Sequence, residues 1–224
     1  KNEITVSPGR ELDHRYTLMT EHVCPVGALT SRDFRFKARV WFLRTAKSVC
    51  AGCATGCNDY LDFDPRHNRV YRIRPRDNAQ VNKFWMCDDG MLSYHALHEN
   101  RVVQPVVRNG EVSHTSSADV LAFASKALRG VTTSRIAVVL SAQFSTEDNA
   151  MLARFAREVL GSEHFYLGAR GGWEADDILR NADDNPNRAG ATAAAEHVHA
   201  AQLKSLSHLA NDAAAGAGAI DGFI

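Results

Sequence analysis

The sequence has no apolar run approaching the roughly 18 residues that a membrane-crossing helix requires, so no part of it is expected to span a bilayer. It has no excess of charge either. Its 26 basic residues balance 26 acidic ones, and no global field calls for nucleic acid or an anionic membrane as partner. The basic, apolar and small-residue regions of a secretory signal are missing, and the chain opens on Lys1 rather than Met. At the far end 213-AAAGAGAIDGFI-224 breaks off as an apolar segment starts, so a piece of a longer chain, cut at both ends, is expected. There is no internal repeat and no extended low-complexity tract. Cysteine is scarce, at five residues, four of them grouped between 50 and 87. A secreted disulfide scaffold would be shorter and denser in cysteine, which points to a reducing compartment.

What is present fits one large or two small domains, for 224 residues are enough to bury a substantial core. Residues 1–36 lack periodicity and are rich in turn formers such as Ser7-Pro8-Gly9. The run 37-KARVWFLRTAKSV-49 reads as a strand buried on both faces that delivers the chain to Cys50. Two β-type runs, 60–63 and 70–73, flank the turn chemistry of 64-DPRHN-68 and predict a hairpin. Residues 91–100 read as one short helix, and Asn109-Gly110 signals a second hairpin. The texture then changes near residue 115. Ser116 or Ser117 can cap a helix over 118–130, 135-RIAVVLSA-142 reads as a buried parallel strand, and Ser145 can cap a helix over 146–161 before a strand at 163–167. Strand, helix and strand at that spacing make a βαβ unit. The segment 176-DDILRNADDNPNRAG-190 is mostly loop, and 192–211 a single Ala-rich helix. The expected fold class is α/β: a small cysteine-bearing β module over 37–100, then the beginning of a parallel-sheet domain over 101–224.

The chemistry concentrates in 48-SVCAGCATGCNDY-60. Cys50, Cys53 and Cys57 with the distant Cys87 give C-x2-C-x3-C-x29-C, a local run of three closed by a remote fourth, which suits an iron–sulfur cluster. The small loop residues Ala51, Gly52, Ala54, Thr55 and Gly56 let backbone amides approach cluster sulfides. Three alternatives stay open on spacing alone. A structural zinc site usually shows two paired knuckles, and Cys87 has no near neighbour. A redox C-x-x-C would leave Cys57 and Cys87 idle. The thiols could also be unrelated core residues.

The runs 24-CPVGALTSRDFRFKARVW-41, 48-SVCAGCATGC-57, 72-RIRPRDNAQVN-82 and 85-WMCDDG-90, with 176-DDILRNADDNPNRAG-190, resemble the large iron–sulfur subunit of NADH–quinone oxidoreductase, respiratory complex I. The resemblance extends from about residue 3 to 190. It implies that Cys50, Cys53, Cys57 and Cys87 hold one [4Fe–4S] cluster. It implies that Cys24 is the last ligand of a second [4Fe–4S] cluster, whose other ligands lie upstream of this sequence. Residues 1–36 would then end a ferredoxin-like region, 37–100 form a cluster module of the molybdopterin-oxidoreductase type, and 101–224 begin a domain related to those enzymes. It further implies electron relay from NADH towards quinone, other peripheral-arm subunits as partners, and a cytoplasmic position on the bacterial inner membrane held through the complex. No catalytic residue is expected in this chain. The sister formate dehydrogenases and nitrate reductases carry a molybdenum bis-pterin, and the resemblance leads one to expect a basic residue two positions after the fourth cysteine. Asp89 stands there instead, so bound molybdenum is not expected. The alternative function is the N-terminal part of a molybdopterin-dependent oxidoreductase, such as a formate dehydrogenase or a hydrogenase-associated subunit.

Other candidates read as structural. His95, His98, His197 and His199 lack a carboxylate pattern and are expected at surface or core. Gly168-Ala-Arg-Gly-Gly172 does not match G-x-G-x-x-G and reads as a plain loop. The acidic pairs Asp176-Asp177 and Asp183-Asp184 read as solvated loops or caps. Arg69, Arg72, Arg74 and Arg76 alternate as a solvated hairpin face, with a docking edge as the sharper reading.

Overall fold

A three-stranded antiparallel sheet, β1 (Arg44–Val49), β2 (Asn58–Asp64) and β3 (Arg69–Pro75), organises the cysteine-bearing part of the chain. The computed structural model describes residues 5–109, 111–114, 116–132, 135–200, 202–214 and 222–223. The hairpin expected around 64–68 is present, with Asp59↔Pro75 and Asp64↔Arg69 paired and a register shift at Asp62/Phe63. Residues 37–49 differ from expectation. Val40–Phe42 form a 3₁₀ turn with Trp41 and Phe42 exposed, and only Arg44–Val49 is strand. β1 pairs with β2 alone and carries Arg44, Lys47 and Ser48, so it is an edge strand without the cover that a doubly buried strand needs.

Polar burial distinguishes β2, whose Asp59, Asp62 and Asp64 all point into the unit. Asp62 accepts from Arg72 Nε (2.6 Å), Arg74 Nε (2.7 Å) and Thr45 Oγ1 (2.7 Å). Arg76 donates to the carbonyls of Asp59 and Ser48. Three of the alternating arginines are therefore spent inside the sheet, which corrects the reading of that run as a solvated face.

The core of this unit joins Tyr16, Met19, Ile73, Met86, Met91 and Tyr94 to three of the cysteines. A short helix, α1 (Met19–Val23), brings in Met19. The helix expected over 91–100 starts earlier, as α2 (Asp88–Leu92), and continues as a 3₁₀ turn over Ser93–Leu97. The cause is the Cys87 sulfur, which accepts from Gly90 N as an N-cap. Asp33, from the run of likeness at 24–41, accepts from the Tyr94 hydroxyl, pairs with Lys37 (2.9 Å) and lies 2.9 Å from His95 Nε2. Residues Trp173–Asp184 belong to this same unit.

The second unit comprises Arg101–Gly172 and Asn185–Ile224. β4 (Val106–Asn109) and β5 (Glu111–His114) form the second hairpin; Gly110, expected at its tip, lies outside the described residues. α3 (Ser117–Arg129) starts at a capping box between Ser116 and Asp119. β6 (Ile136–Ser141) is almost wholly buried, α4 (Thr146–Arg154) is capped by Ser145 and runs into a π turn over Phe155–Val159, and β7 (His164–Gly168) returns parallel to β6. The predicted βαβ unit is thus present. The single helix expected over 192–211 is not. α5 (Arg188–His197) ends there, His199 adopts φ 54°, and the chain forms β8 (Leu203–Ser205) and α6 (Leu206–Ala214). An alanine-rich composition favours helix locally, but Leu203 pairs with Phe165 of β7, so sheet extension overrides it. With β9 (Gly222–Phe223) the sheet order is β8-β7-β6-β9, every pair parallel. The architecture is mixed α/β, a small antiparallel sheet in one unit and a parallel sheet in the other.

Candidate metal centre

The loop 50–57 is the tip of the β1–β2 hairpin, in which Val49 pairs with Asn58. Cys50 N donates to Cys57 O (2.8 Å), closing the loop, and Gly56 turns it at φ 63°, where a side chain would be strained. The fourth thiol is placed by a separate device. Buried Asn82 accepts from Asn58 N (3.1 Å) and donates to the carbonyls of Arg76 and Trp85. This ties the approach to Cys87 onto the start of β2. The next residue, Asp88, accepts from the amides of Thr17 (3.1 Å) and Leu18 (3.0 Å) and donates its own N–H to Arg15 O. Those contacts fix α2.

These supports bring Cys50, Cys53, Cys57 and Cys87 together, none more than 8% exposed and none in a disulfide. Burial pushes the Cys50 thiol up to about 11 and Cys57 to about 12, and each is raised further by charge on its fellow cysteines. Cys87 is also raised, by burial first, with the Gly90 amide acting downward. These three raised thiols ionise together only around a strongly cationic core, as metal ligation demands. Buried Asp59 stands beside them and is raised to about 6 by burial, with Arg76 acting the other way.

The donor set, three cysteines on one loop and a fourth from a helix start, suits a core of several metal atoms. Among the described residues no group of three or more His, Cys, Asp or Glu side chains is placed to hold a metal ion. The space that remains is tightly walled. A Cβ at Gly90 would lie 3.2 Å from Cys50 Sγ, 3.5 Å from Cys87 Sγ and 3.1 Å from Met86 Cε. Met86 can move aside, but a sulfur fixed to a metal cannot. Gly90→Ala is therefore expected to leave the fold in place and speed iron loss to a chelator about tenfold. Unchanged release rates would show that the wall is soft.

One contributor escaped the sequence reading. The segment 173–184, read as loop, meets the cysteine loop: Ala54 N donates to Asp183 O (2.9 Å) and Thr55 Oγ1 to Leu179 O (2.8 Å). Asp176 caps it, accepting from the amides of Ile178, Leu179 and Arg180 and from the Tyr16 hydroxyl (2.7 Å). Burial acts upward on Asp176, but these donors hold it down to about 2. An Asp followed within four residues by the amides it caps is an Asx-turn signal, readable in 176-DDILR-180.

Cys24 is only partly buried, unlike the other four. It follows α1 and lines a cavity of about 480 Å³ with Leu18, His22, Tyr94 and Arg74. The amides of Leu29, Ala28, Val26 and Gly27 lower its thiol pKa against burial, an environment made for a thiolate. Of the other candidates, His98 Nε2 accepts from Val70 N, and the 168–172 loop is pinned by buried Asn185, which bonds the main chain of Arg170. His197 closes α5.

Residues 43–98 match the model of the molybdopterin oxidoreductase Fe4S4 domain. The four gathered thiols lie within that span, so the chain is of the class of proteins that carry this domain, and the match indicates a [4Fe–4S] cluster. Similar proteins narrow the class. The G subunit of NADH-quinone oxidoreductase from Streptomyces coelicolor is 30% identical over 75% of this chain and 20% of its own length. Its counterpart from Mycobacterium bovis is 33% identical over 67% of this chain and 19% of its own. The 75 kDa subunit of NADH-ubiquinone oxidoreductase from Reclinomonas americana is 30% identical over 74% and 25%. The chain belongs to this family of NADH-quinone oxidoreductase G subunits. It spans about a fifth to a quarter of the length of these relatives.

Proposed function

We propose that this chain is an electron-relay segment of an NADH-quinone oxidoreductase, with Cys50, Cys53, Cys57 and Cys87 as the ligands of one [4Fe–4S] cluster. The observation that carries the reading is the gathering of four buried thiols from a hairpin tip and a helix start, inside the span of the Fe4S4 domain. When bound, the cluster supplies reversible one-electron storage. The polypeptide contributes the cage. Its thiolates hold the metal, Met86, Met91, Ile73 and Tyr16 exclude water, and Asn82 and Asp88 keep the two ligand segments in register. No side chain in this arrangement is called on as acid, base or nucleophile.

Cys24, in its nest of amides, is proposed as a ligand of a second [4Fe–4S] cluster completed by upstream residues. The second unit is proposed as a molybdopterin-oxidoreductase-like scaffold without molybdenum, since Asp89 stands where a basic residue would face a pterin. Other peripheral subunits of the oxidoreductase would be its neighbours, on the cytoplasmic face of the bacterial inner membrane. Among the described residues no helix is long and apolar enough to cross a membrane. Anaerobic purification of the full-length subunit, with iron, sulfide and molybdenum analysis and EPR of the reduced protein, tests all of this. A [4Fe–4S] signal that depends on the four cysteines, without molybdenum, is expected. A colourless zinc protein overturns the cluster, and about one molybdenum per chain overturns the scaffold.

A further inference from the structure

Arg180 is the one guanidinium that the returning segment carries to the cysteine cage. Its side chain is only 9% exposed. It stacks on Trp173, 3.5 Å from the ring centroid, and its Nη1 lies 3.2 Å from Asp89 Oδ2, two residues beyond Cys87. Three features hold it there. Trp173 is fixed by its own bonds to Asn181 O (2.7 Å) and Ala182 O (3.1 Å). The main chain of Arg180 is tied at both ends to Asp176, donating to its carboxylate and accepting from its amide. The same segment bonds the ligand loop at Ala54 and Thr55. Asp89, by contrast, is about half exposed, so water screens the anion more than the cation.

We infer that Arg180 is a positioning residue for electron transfer, a fixed positive charge that offsets Asp89 and raises the reduction potential of the cluster held by Cys87 and its partners. Reduction adds one electron to the cage, taken from the titrant, and neither makes nor breaks a bond. A buried cation favours the added negative charge, and Asp89 opposes it. This inference rests on the cluster assignment above.

The test is a dithionite titration followed by EPR, on the full-length subunit within its purified oxidoreductase. Arg180→Gln is expected to lower the reduction equilibrium constant of this cluster about tenfold, about 59 mV for a one-electron couple, with iron content unchanged. Arg180→Lys, which keeps the charge, should restore it to within about twofold, a rescue that a purely structural role would not predict. Asp89→Asn should shift it upward, and the double variant should return close to the parent. If Arg180→Gln loses the cluster, Asp89→Asn decides: an unmoved midpoint there overturns the inference, as does an unmoved midpoint in a loaded Arg180→Gln. A parent protein with no [4Fe–4S] signal from these cysteines sinks the cluster assignment instead.

Discussion

Cys87→Ser is expected to abolish the cluster while leaving the fold nearly intact, the largest functional effect that a single side chain here can have. Cys87 is the sole proposed ligand from outside the hairpin tip, and a four-iron core needs all four thiolates. Serine keeps the volume but offers a hydroxyl that does not ionise in this buried setting. It is, however, a good N-cap. The position already accepts from Gly90 N as the cap of α2, and a serine Oγ can take over that bond. Asp88 still anchors the helix to Thr17 and Leu18. Loss of the ligand is thus separated from loss of structure, because a serine at this position can keep the cap of α2. The EPR signal of this cluster should vanish and about four irons per subunit be lost. Circular dichroism and thermal unfolding of the iron-free proteins should match. Cys24→Ser should leave this signal untouched, because Cys24 lies in a separate amide nest. Full iron retention in Cys87→Ser would remove it from the ligand set.

The parts of this outcome that were legible are those fixed by local chemistry. The 64-DPRHN-68 turn, the Ser116 and Ser145 caps and the apolar run at β6 each specify their element through contacts within a few residues, and each element formed. The spacing also puts Cys50, Cys53 and Cys57 on one loop, because a hairpin tip brings its own residues together, whereas the approach of Cys87 depends on Asn82 and Asp88. What was hidden depends on distant partners. Trp41 and Phe42 look like core in sequence, yet among the described residues both stay exposed beside an edge strand. The alanines of 192–200 say helix, and only the presence of β7 explains why the chain turns into strand at Leu203. The arginines of β3 alternate as an exposed face would, and only buried Asp62, ten and twelve residues away, reveals them as internal. The hardest case is 173–184. Its bonds to the cysteine loop run over more than a hundred residues of sequence, through main-chain carbonyls that carry no side-chain signature.

Asp62 also gives the largest expected stability effect. It is 3% exposed and neutralises two arginines that are themselves largely buried, while taking the Thr45 hydroxyl. Asp62→Ala leaves two cations side by side under the sheet with no anion, and removing one member of a buried ion network costs about 3 kcal/mol. Asp62→Asn keeps the volume and the Thr45 bond, so the difference between the two variants separates packing from charge. The pH dependence fixes the sign. Burial acts upward on the Asp62 carboxyl, but hydrogen bonds from Arg74, Thr45 and Arg72 overcome it and leave the folded pKa below the ordinary value of 3.8. A depressed folded pKa means that the stabilisation is fully present above the unfolded value and is lost as pH falls through the folded one. The gap between parent and Asp62→Asn should therefore be flat from neutral pH down to about pH 4 and shrink below it. The three tryptophans, Trp41, Trp85 and Trp173, all lie in this unit, so fluorescence-detected urea unfolding reports on it directly. A gap that widens in acid would mean that the arginines, and not the carboxylate, set the balance under this sheet.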